Sequence, residues 1–218
     1  MSVITKLTTA KSRDKKINIY LDGKYAFSLP ANVVTQAGLR KEQELTSIQV
    51  EELAATGRYR RCLNAAVSYI SYKPRSEYEV RQRLLQRRFE RNDIDKTIDD
   101  LKDQGFIDDV SFARLWKENR QDCSPRSKWL TGVELRRKGI NNDLVIQAVS
   151  DIDDNESAYR AALTRARRIA PDDYQTFRRR LGDFLKRRGF NYDVIQQTID
   201  MLWSERGENS PRIYKEEK

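Results

Sequence analysis

Leu85-Gln86-Arg87-Arg88, Leu135-Arg136-Arg137-Lys138 and Leu185-Lys186-Arg187-Arg188 are one pattern written three times, each copy fifty residues from the last. Eight residues after each leucine an acidic helix start follows in the same register: Asp93-Ile94, Asp143-Leu144 and Asp193-Val194. A period of this length marks a repeat architecture, in which each unit buries its apolar face with help from its neighbour. Three helices of about 11 residues joined by loops of about 4 to 6 fill the period, so each unit is predicted to be a three-helix module.

The apolar residues around these anchors recur at helical spacing. First helices carry Leu63, Ala66, Val67 and Ile70, then Phe112, Leu115 and Trp116, then Tyr159, Ala162, Leu163 and Ala166. Second helices carry Val80, Leu84 and Leu85, then Trp129, Val133 and Leu135, then Phe177, Leu181, Phe184 and Leu185. Third helices carry Ile94, Ile98 and Leu101, then Leu144, Ala148 and Val149, then Val194, Ile195, Ile199 and Leu202. Helical spacing alone explains these stripes, so they are assigned to the core. Gly139 and Gly189 follow the basic clusters where a helix needs a left-handed residue. Phe89 holds the corresponding place in the first unit, which leaves that helix without a glycine cap.

Ahead of the repeats the period changes from helical to alternating. Val3-Ile4-Thr5, Ile17-Asn18-Ile19-Tyr20-Leu21 and Lys24-Tyr25-Ala26-Phe27-Ser28-Leu29 read as strands, and Asp22-Gly23 between the last two is a type I′ hairpin signal. With that turn Leu21 faces Lys24 and Tyr20 faces Tyr25, which puts Ile17, Ile19 and Leu21 on one side and the aromatics on the other. A third strand from Val3 to about Ala10 is expected alongside. Short helical pieces follow at Asn32 to Ala37, stopped by Gly38, and at Ser47 to Ala55, capped by Thr46 and Gln49.

The fold class expected is therefore mainly α: three tandem three-helix repeats in an elongated curved stack, preceded by a small antiparallel hairpin or three-stranded extension. The units run 1–57 for the extension and its short helices, 58–108, 109–154 and 155–204 for the repeats, and 205–218 for a flexible tail in which charges alternate around Gly207 and Pro211. With 38% hydrophobic and 34% charged residues, the chain suits thin helical layers better than one deep core. No apolar run is long enough to span a bilayer and no apolar signal segment follows Met1, so a cytoplasmic protein without a membrane partner is expected. Cys62 and Cys123 form neither a CxxC pair nor a Cys/His cluster, and both read as helix packing residues.

Catalysis finds little to work with. The chain has no histidine, which removes the commonest general base and metal ligand at neutral pH. It has no GxGxxG or GxxxxGK[ST] loop, so no phosphate-cradling turn and no ATP site can be placed. Asp108-Asp109, Asp153-Asp154 and Asp172-Asp173 each sit just ahead of a helix, where carboxylates cap free N–H groups. No enzyme, cofactor or metal is expected.

The cations are more informative. Forty-two Lys and Arg against thirty-three Asp and Glu give a net charge of +9, which favours a polyanionic partner. They gather at Arg58, Arg60 and Arg61; Arg81, Arg83, Arg87 and Arg88; Arg136 to Lys138; Arg165, Arg167 and Arg168; Arg178 to Arg180; and Lys186 to Arg188. One such cluster in a helix's last turn complements the helix dipole and needs no ligand. Several on stacked repeats would form a spaced row suited to phosphates or an acidic protein groove. Nothing has the spacing of a base-reading helix, so contact with nucleic acid is expected to be driven by charge and shape.

Lys73-Pro74-Arg75-Ser76-Glu77-Tyr78-Glu79-Val80, Gly105-Phe106-Ile107-Asp108-Asp109 leading to Phe112-Ala113, and Glu134-Leu135-Arg136-Arg137-Lys138-Gly139-Ile140 resemble the signature of the RecX family, in its order and spacing. The hairpin Asn18 to Leu29 resembles the strand extension of longer members, and the likeness runs from about residue 3 to residue 203. The resemblance implies a non-catalytic regulator, usually an inhibitor, that binds the RecA filament on single-stranded DNA. It implies that such a protein modulates ATP hydrolysis, strand exchange and co-protease activity in recombination, DNA repair and the SOS response. Residues expected to meet the filament or nucleic acid are Arg81, Arg87, Arg88, Arg136, Arg137, Lys138, Arg167, Arg168, Arg179, Lys186, Arg187 and Arg188. The partners expected are the RecA filament and, indirectly or through charge, single-stranded DNA, met by a monomer. The alternative is a stand-alone, non-sequence-specific nucleic-acid-binding repeat protein.

Overall fold

The computed structural model of the chain describes residues 1–10, 16–169 and 173–208. Two units divide it, Met1–Asp108 and Asp109–Lys218.

The first unit begins with strands β1 (Ser2–Thr9), β2 (Lys16–Leu21) and β3 (Lys24–Pro30). Asp22 and Gly23 both hold positive φ, 50° and 81°, as a type I′ turn requires. Leu21 faces Lys24 and Tyr20 faces Tyr25, as read from the sequence. A register shift between Ile19 and Tyr20 then places Phe27 opposite Ile19. Phe27 therefore joins Ile4, Ile19, Leu21 and Leu29 in the buried face, contrary to the expected separation of aromatics from aliphatics. Helix α1 (Ala31–Gln36) leads to a fourth strand that was not foreseen, β4 (Glu44–Leu45). It pairs with β1 and gives an antiparallel sheet of order β3-β2-β1-β4.

Helix α2 (Ser47–Ile70) starts at the expected capping box, where Thr46 Oγ1 accepts from the Gln49 N–H at 3.2 Å and the Thr46 N–H donates to Gln49 Oε1 at 2.9 Å. It runs unbroken for 24 residues, so the two helical pieces read before and after residue 57 are one helix, and the boundary expected at 57/58 falls inside it. Gly57 does not interrupt the helix. A Cβ there would lie 2.8 Å from the Ser28 carbonyl oxygen, so glycine lets α2 pass close under β3. The first half of α2 packs Val50, Leu53 and Ala54 on the sheet. Its second half joins α3 (Glu77–Gln86) and α4 (Arg91–Asp103) in a three-helix module around Cys62, Ala66, Val80, Leu84, Ile94, Ile98 and Leu101.

The second unit holds two further modules. Helices α5 (Asp109–Cys123), α6 (Lys128–Arg137) and α7 (Asn142–Val149) enclose Phe112, Ala113, Leu135, Ile140, Val145 and Val149. Helices α8 (Asp154–Ala166), α9 (Tyr174–Lys186) and α10 (Tyr192–Glu208) enclose Ala158, Ala162, Phe177, Leu181, Leu185 and Ile199. Asp153 caps α8, accepting from the Asn155 and Glu156 N–H groups, and Asp173 caps α9, accepting from Gln175 and Thr176. Both aspartates do what their position predicted; Asp172 lies outside the described residues. Ser204 to Glu208 continue α10, and the rest of the expected tail lies outside the described residues.

The repeat register needs a correction of one residue in the first module. The N–H groups of Phe89, Ile140 and Phe190 donate to the carbonyls of Leu84, Leu135 and Leu185, the same helix-closing bond in each module. Leu84, not Leu85, is thus the partner of Leu135 and Leu185; it is fully buried while Leu85 is 38% exposed. The left-handed place taken by Gly139 and Gly189 (φ 78° and 85°) falls in the first module to Arg88, at φ 60°. Other stripe residues also lie outside the core: Val67 and Leu115 are exposed, and Trp129 is 65% exposed because α6 buries Thr131, Gly132 and Leu135 instead. Cys62 packs in the core as expected, but Cys123 is exposed.

Candidate cationic interface

The repeat register brings Arg87, Lys138 and Arg188 to equivalent positions at the closing turn of each middle helix, where a cation complements free carbonyls by about 0.3–1 kcal/mol. The three have different surroundings. Arg87 and its neighbour Arg88 are exposed, and neither has an ion-pair partner among the described residues. Lys138 is half-buried with its ammonium 5.1 Å from the Trp116 ring centroid. Arg188 is half-buried: Nη1 donates to Ser124 Oγ and to the Pro125 carbonyl oxygen, both at 2.9 Å, and the guanidinium lies 4.5 Å from the Phe184 ring centroid. Burial pulls the Arg188 pKa below the usual arginine range.

Arg188 also ties two modules of the second unit together. Its carbonyl oxygen accepts from the Ser127 N–H at 3.0 Å, next to where Lys128 N–H donates to Asp154 Oδ1 at 2.6 Å. Gly189 completes the contact. It needs a positive φ, and a Cβ there would lie 2.6 Å from both Leu130 Cβ and Ser127 Oγ.

The remaining expected residues divide by partner. Arg81 donates to Glu77 at 3.2 Å and pairs with Asp95, and that hydrogen bond to Asp95 is the main cause of its raised pKa. Its charge is answered within its own module. Arg136 Nε donates to the neutral Asn142 Oδ1 at 3.0 Å, and Arg136 forms no ion pair among the described residues. Arg137, Arg167, Arg168, Arg179, Lys186 and Arg187 are exposed and form no ion pair among the described residues.

Arg179 and Lys186 meet in one place, a groove of about 660 Å³ between α9 and α10. Arg178 and Tyr192 share its rim, and Arg178 Nη2 donates to the Tyr192 hydroxyl at 3.2 Å. Tyr192 is 68% exposed. Cations beside an exposed ring can hold a phosphate while a base stacks, although Asp173 and Asp183 also line this groove and temper its charge. Sequence reasoning passed over Tyr192, since a tyrosine opening a helix carries no signal of its own. Arg168 and Arg188 belong to a second cavity, with Arg160 and Arg165.

A second charge centre is half-buried and answered within the fold. Glu134 accepts from Trp116 Nε1 at 3.0 Å and from Arg120 Nε at 2.7 Å, and it pairs with Arg126. The Arg120 guanidinium also lies 4.6 Å from the Trp116 ring centroid. This explains Glu134 beside the basic run as a support of the α5–α6 packing.

Three-helix modules behind a small antiparallel sheet, with cations on the turns that close the middle helices, define a helical-repeat protein of a particular kind. Residues 2–46 match the pattern described as regulatory protein RecX N-terminal domain, residues 62–101 the first RecX three-helix domain, and residues 152–199 the third. Regulatory protein RecX of Bacillus velezensis is 30% identical over 204 residues, covering 92% of this chain and 77% of that protein. The Bacillus subtilis protein of the same name is 29% identical over 216 residues, 97% of this chain and 81% of its own. A crystal structure described as regulatory protein RecX matches with a TM-score of 0.66 at 25% identity, over 92% of this chain and 100% of that one. RecX from Lactobacillus salivarius matches with a TM-score of 0.57 at 26% identity, over 66% and 96%. The chain belongs to the RecX family of regulatory proteins.

Proposed function

We propose that this chain binds the filament that the RecA recombinase forms on single-stranded DNA and restrains its ATP hydrolysis, strand exchange and co-protease activity. It acts as a monomer in the cytoplasm, in recombination, DNA repair and the SOS response, without cofactor or covalent chemistry of its own. The observation that carries this reading is a set of exposed cations without an acidic partner among the described residues: Arg87, Arg88, Arg136, Arg137, Arg167, Arg168, Arg179, Lys186 and Arg187. Charges unanswered within the fold are available to a polyanionic partner. Arg81, Lys138 and Arg188 contribute to the contact as well in this proposal, each within its own unit, with Arg81 and Arg188 acting through contacts inside their units. The modular division at 58–108, 109–154 and 155–204 is part of the reading, each unit contributing its own cations.

The second reading, a stand-alone nucleic-acid binder, is favoured by the groove between α9 and α10 with its exposed Tyr192. Binding to bare and to RecA-coated single-stranded DNA over a salt series separates the two. Contact dominated by phosphates weakens steeply with salt on both substrates, whereas recognition of the filament persists on the coated strand. Equal affinity for both at every salt concentration would contradict the filament reading.

A further inference from the structure

A cavity of about 420 Å³ opens in the second unit between the end of α5, α8 and α9. Among the described residues four arginines line it, Arg160, Arg165, Arg168 and Arg188, with one acid, Asp122. Two of them are fixed. Arg160 Nη2 donates to the Gln121 carbonyl oxygen at 2.9 Å, and Arg188 Nη1 donates to Ser124 Oγ and to the Pro125 carbonyl oxygen, both at 2.9 Å. Asp122 lies 3.9 Å from Arg160, and Glu156 lies 4.0 Å from it; among the described residues neither acid pairs with Arg165 or Arg168. Arg165 and Arg168, three residues apart on one face of α8 and at its end, have no ion-pair partner among the described residues.

The fold thus gathers like charges and leaves two unanswered, at an electrostatic cost that an anion would remove. We propose that this cavity binds a phosphate group, supplied by the backbone of single-stranded DNA. A carboxylate is satisfied by one guanidinium fork, whereas a phosphate offers more acceptor oxygens and can take donors from several arginines at once. The proposal rests on the reading above only in naming DNA as the source; the pocket itself requires no RecA.

Cys123 lines the same cavity and is exposed, while the chain's other cysteine, Cys62, is fully buried. Its thiol is a reporter. The full-length protein is treated with a dicarboxylate aryl disulfide and, separately, with an uncharged dipyridyl disulfide, and the ratio of the two rates cancels the thiol's own reactivity. Four arginines should favour the anionic reagent, and in an Arg165→Gln/Arg168→Gln variant the ratio should fall by about threefold or more at low salt. Thermal melting of this variant should not fall below that of the native protein, since like charges are removed and neither side chain has an ion-pair partner among the described residues.

Inorganic phosphate should slow the anionic reagent in the native protein and not in the variant, and oligothymidylate should do so at lower concentration. Protection by phosphate without protection by oligothymidylate would support the pocket but make free phosphate its source. Protection by neither, or equal protection by polyglutamate and oligothymidylate at matched charge, would overturn the proposal. If Cys123 is unprotected while the protein still inhibits RecA, the pocket fails and the filament reading stands.

Discussion

Arg188 Nη1 donates to the carbonyl oxygen of Pro125 at 2.9 Å, tying the end of α9 to the turn ahead of α6. One residue earlier in the chain, Arg187 is exposed and makes no such contact. Two neighbouring arginines in one basic run thus serve different ends, one inside the fold and one on its surface.

Their substitution should separate these roles. Arg188→Gln removes charged hydrogen bonds and should lower stability by about 1–3 kcal/mol, read as a lower thermal midpoint by circular dichroism. Arg187→Gln should stay within about 0.5 kcal/mol of the native protein while weakening binding to RecA-coated DNA. Equal melting of the two variants would remove the distinction.

Reversing Arg136 and Arg137 to Glu tests the exposed cations of the second module. Lys138 is left in place because it packs on Trp116. The loss of favourable dipole contact limits the destabilisation to about 1–2 kcal/mol, whereas inhibition of RecA should be largely abolished. Unfolding of the variant would show that these residues serve only to cap α6.

Arg88 holds a left-handed conformation in which its counterparts are glycines. An L-residue is disfavoured there, so Arg88→Gly should stabilise the first module by about 0.5–1 kcal/mol. We expect the same change to weaken filament binding, because an exposed, unpaired cation is lost. A variant both less stable and equally active would contradict this view of Arg88.

Acid should loosen the first module. Burial pushes the Glu77 carboxyl pKa up, but hydrogen bonds from Lys102 and Arg81 outweigh it and hold the group below the ordinary value of 4.5. A folded-state pKa below the unfolded one contributes stability that is present above the unfolded value and lost as pH falls through the folded value. The thermal midpoint should therefore drop as pH falls below about 4.5, and Glu77→Gln should flatten that decline. An unchanged slope in the variant would show that the carboxylate is unimportant there.

Much of the architecture was legible because the apolar period changes from alternating to helical after the hairpin and because the basic runs recur. What escaped the sequence depends on contacts between distant residues. Leu84 and Leu85 are equally apolar, and only the closing bond from Phe89 decides which one faces inward. The boundary expected at 57/58 falls within one helix, where the close approach of Ser28 requires Gly57. A bulge turned Phe27 inward, and β4, two residues long, has no periodicity to detect. Among the cations, composition located the clusters but could not say that Asp95 answers Arg81 or that Pro125 holds Arg188.

RecA's DNA-dependent ATPase, measured with this protein at substoichiometric ratios to RecA, is the decisive assay. We predict that the native protein lowers the rate and that the Arg136→Glu/Arg137→Glu variant, folded by circular dichroism, does not. An ATPase rate unchanged by the native protein at every ratio and salt concentration would contradict the proposed restraint of the filament.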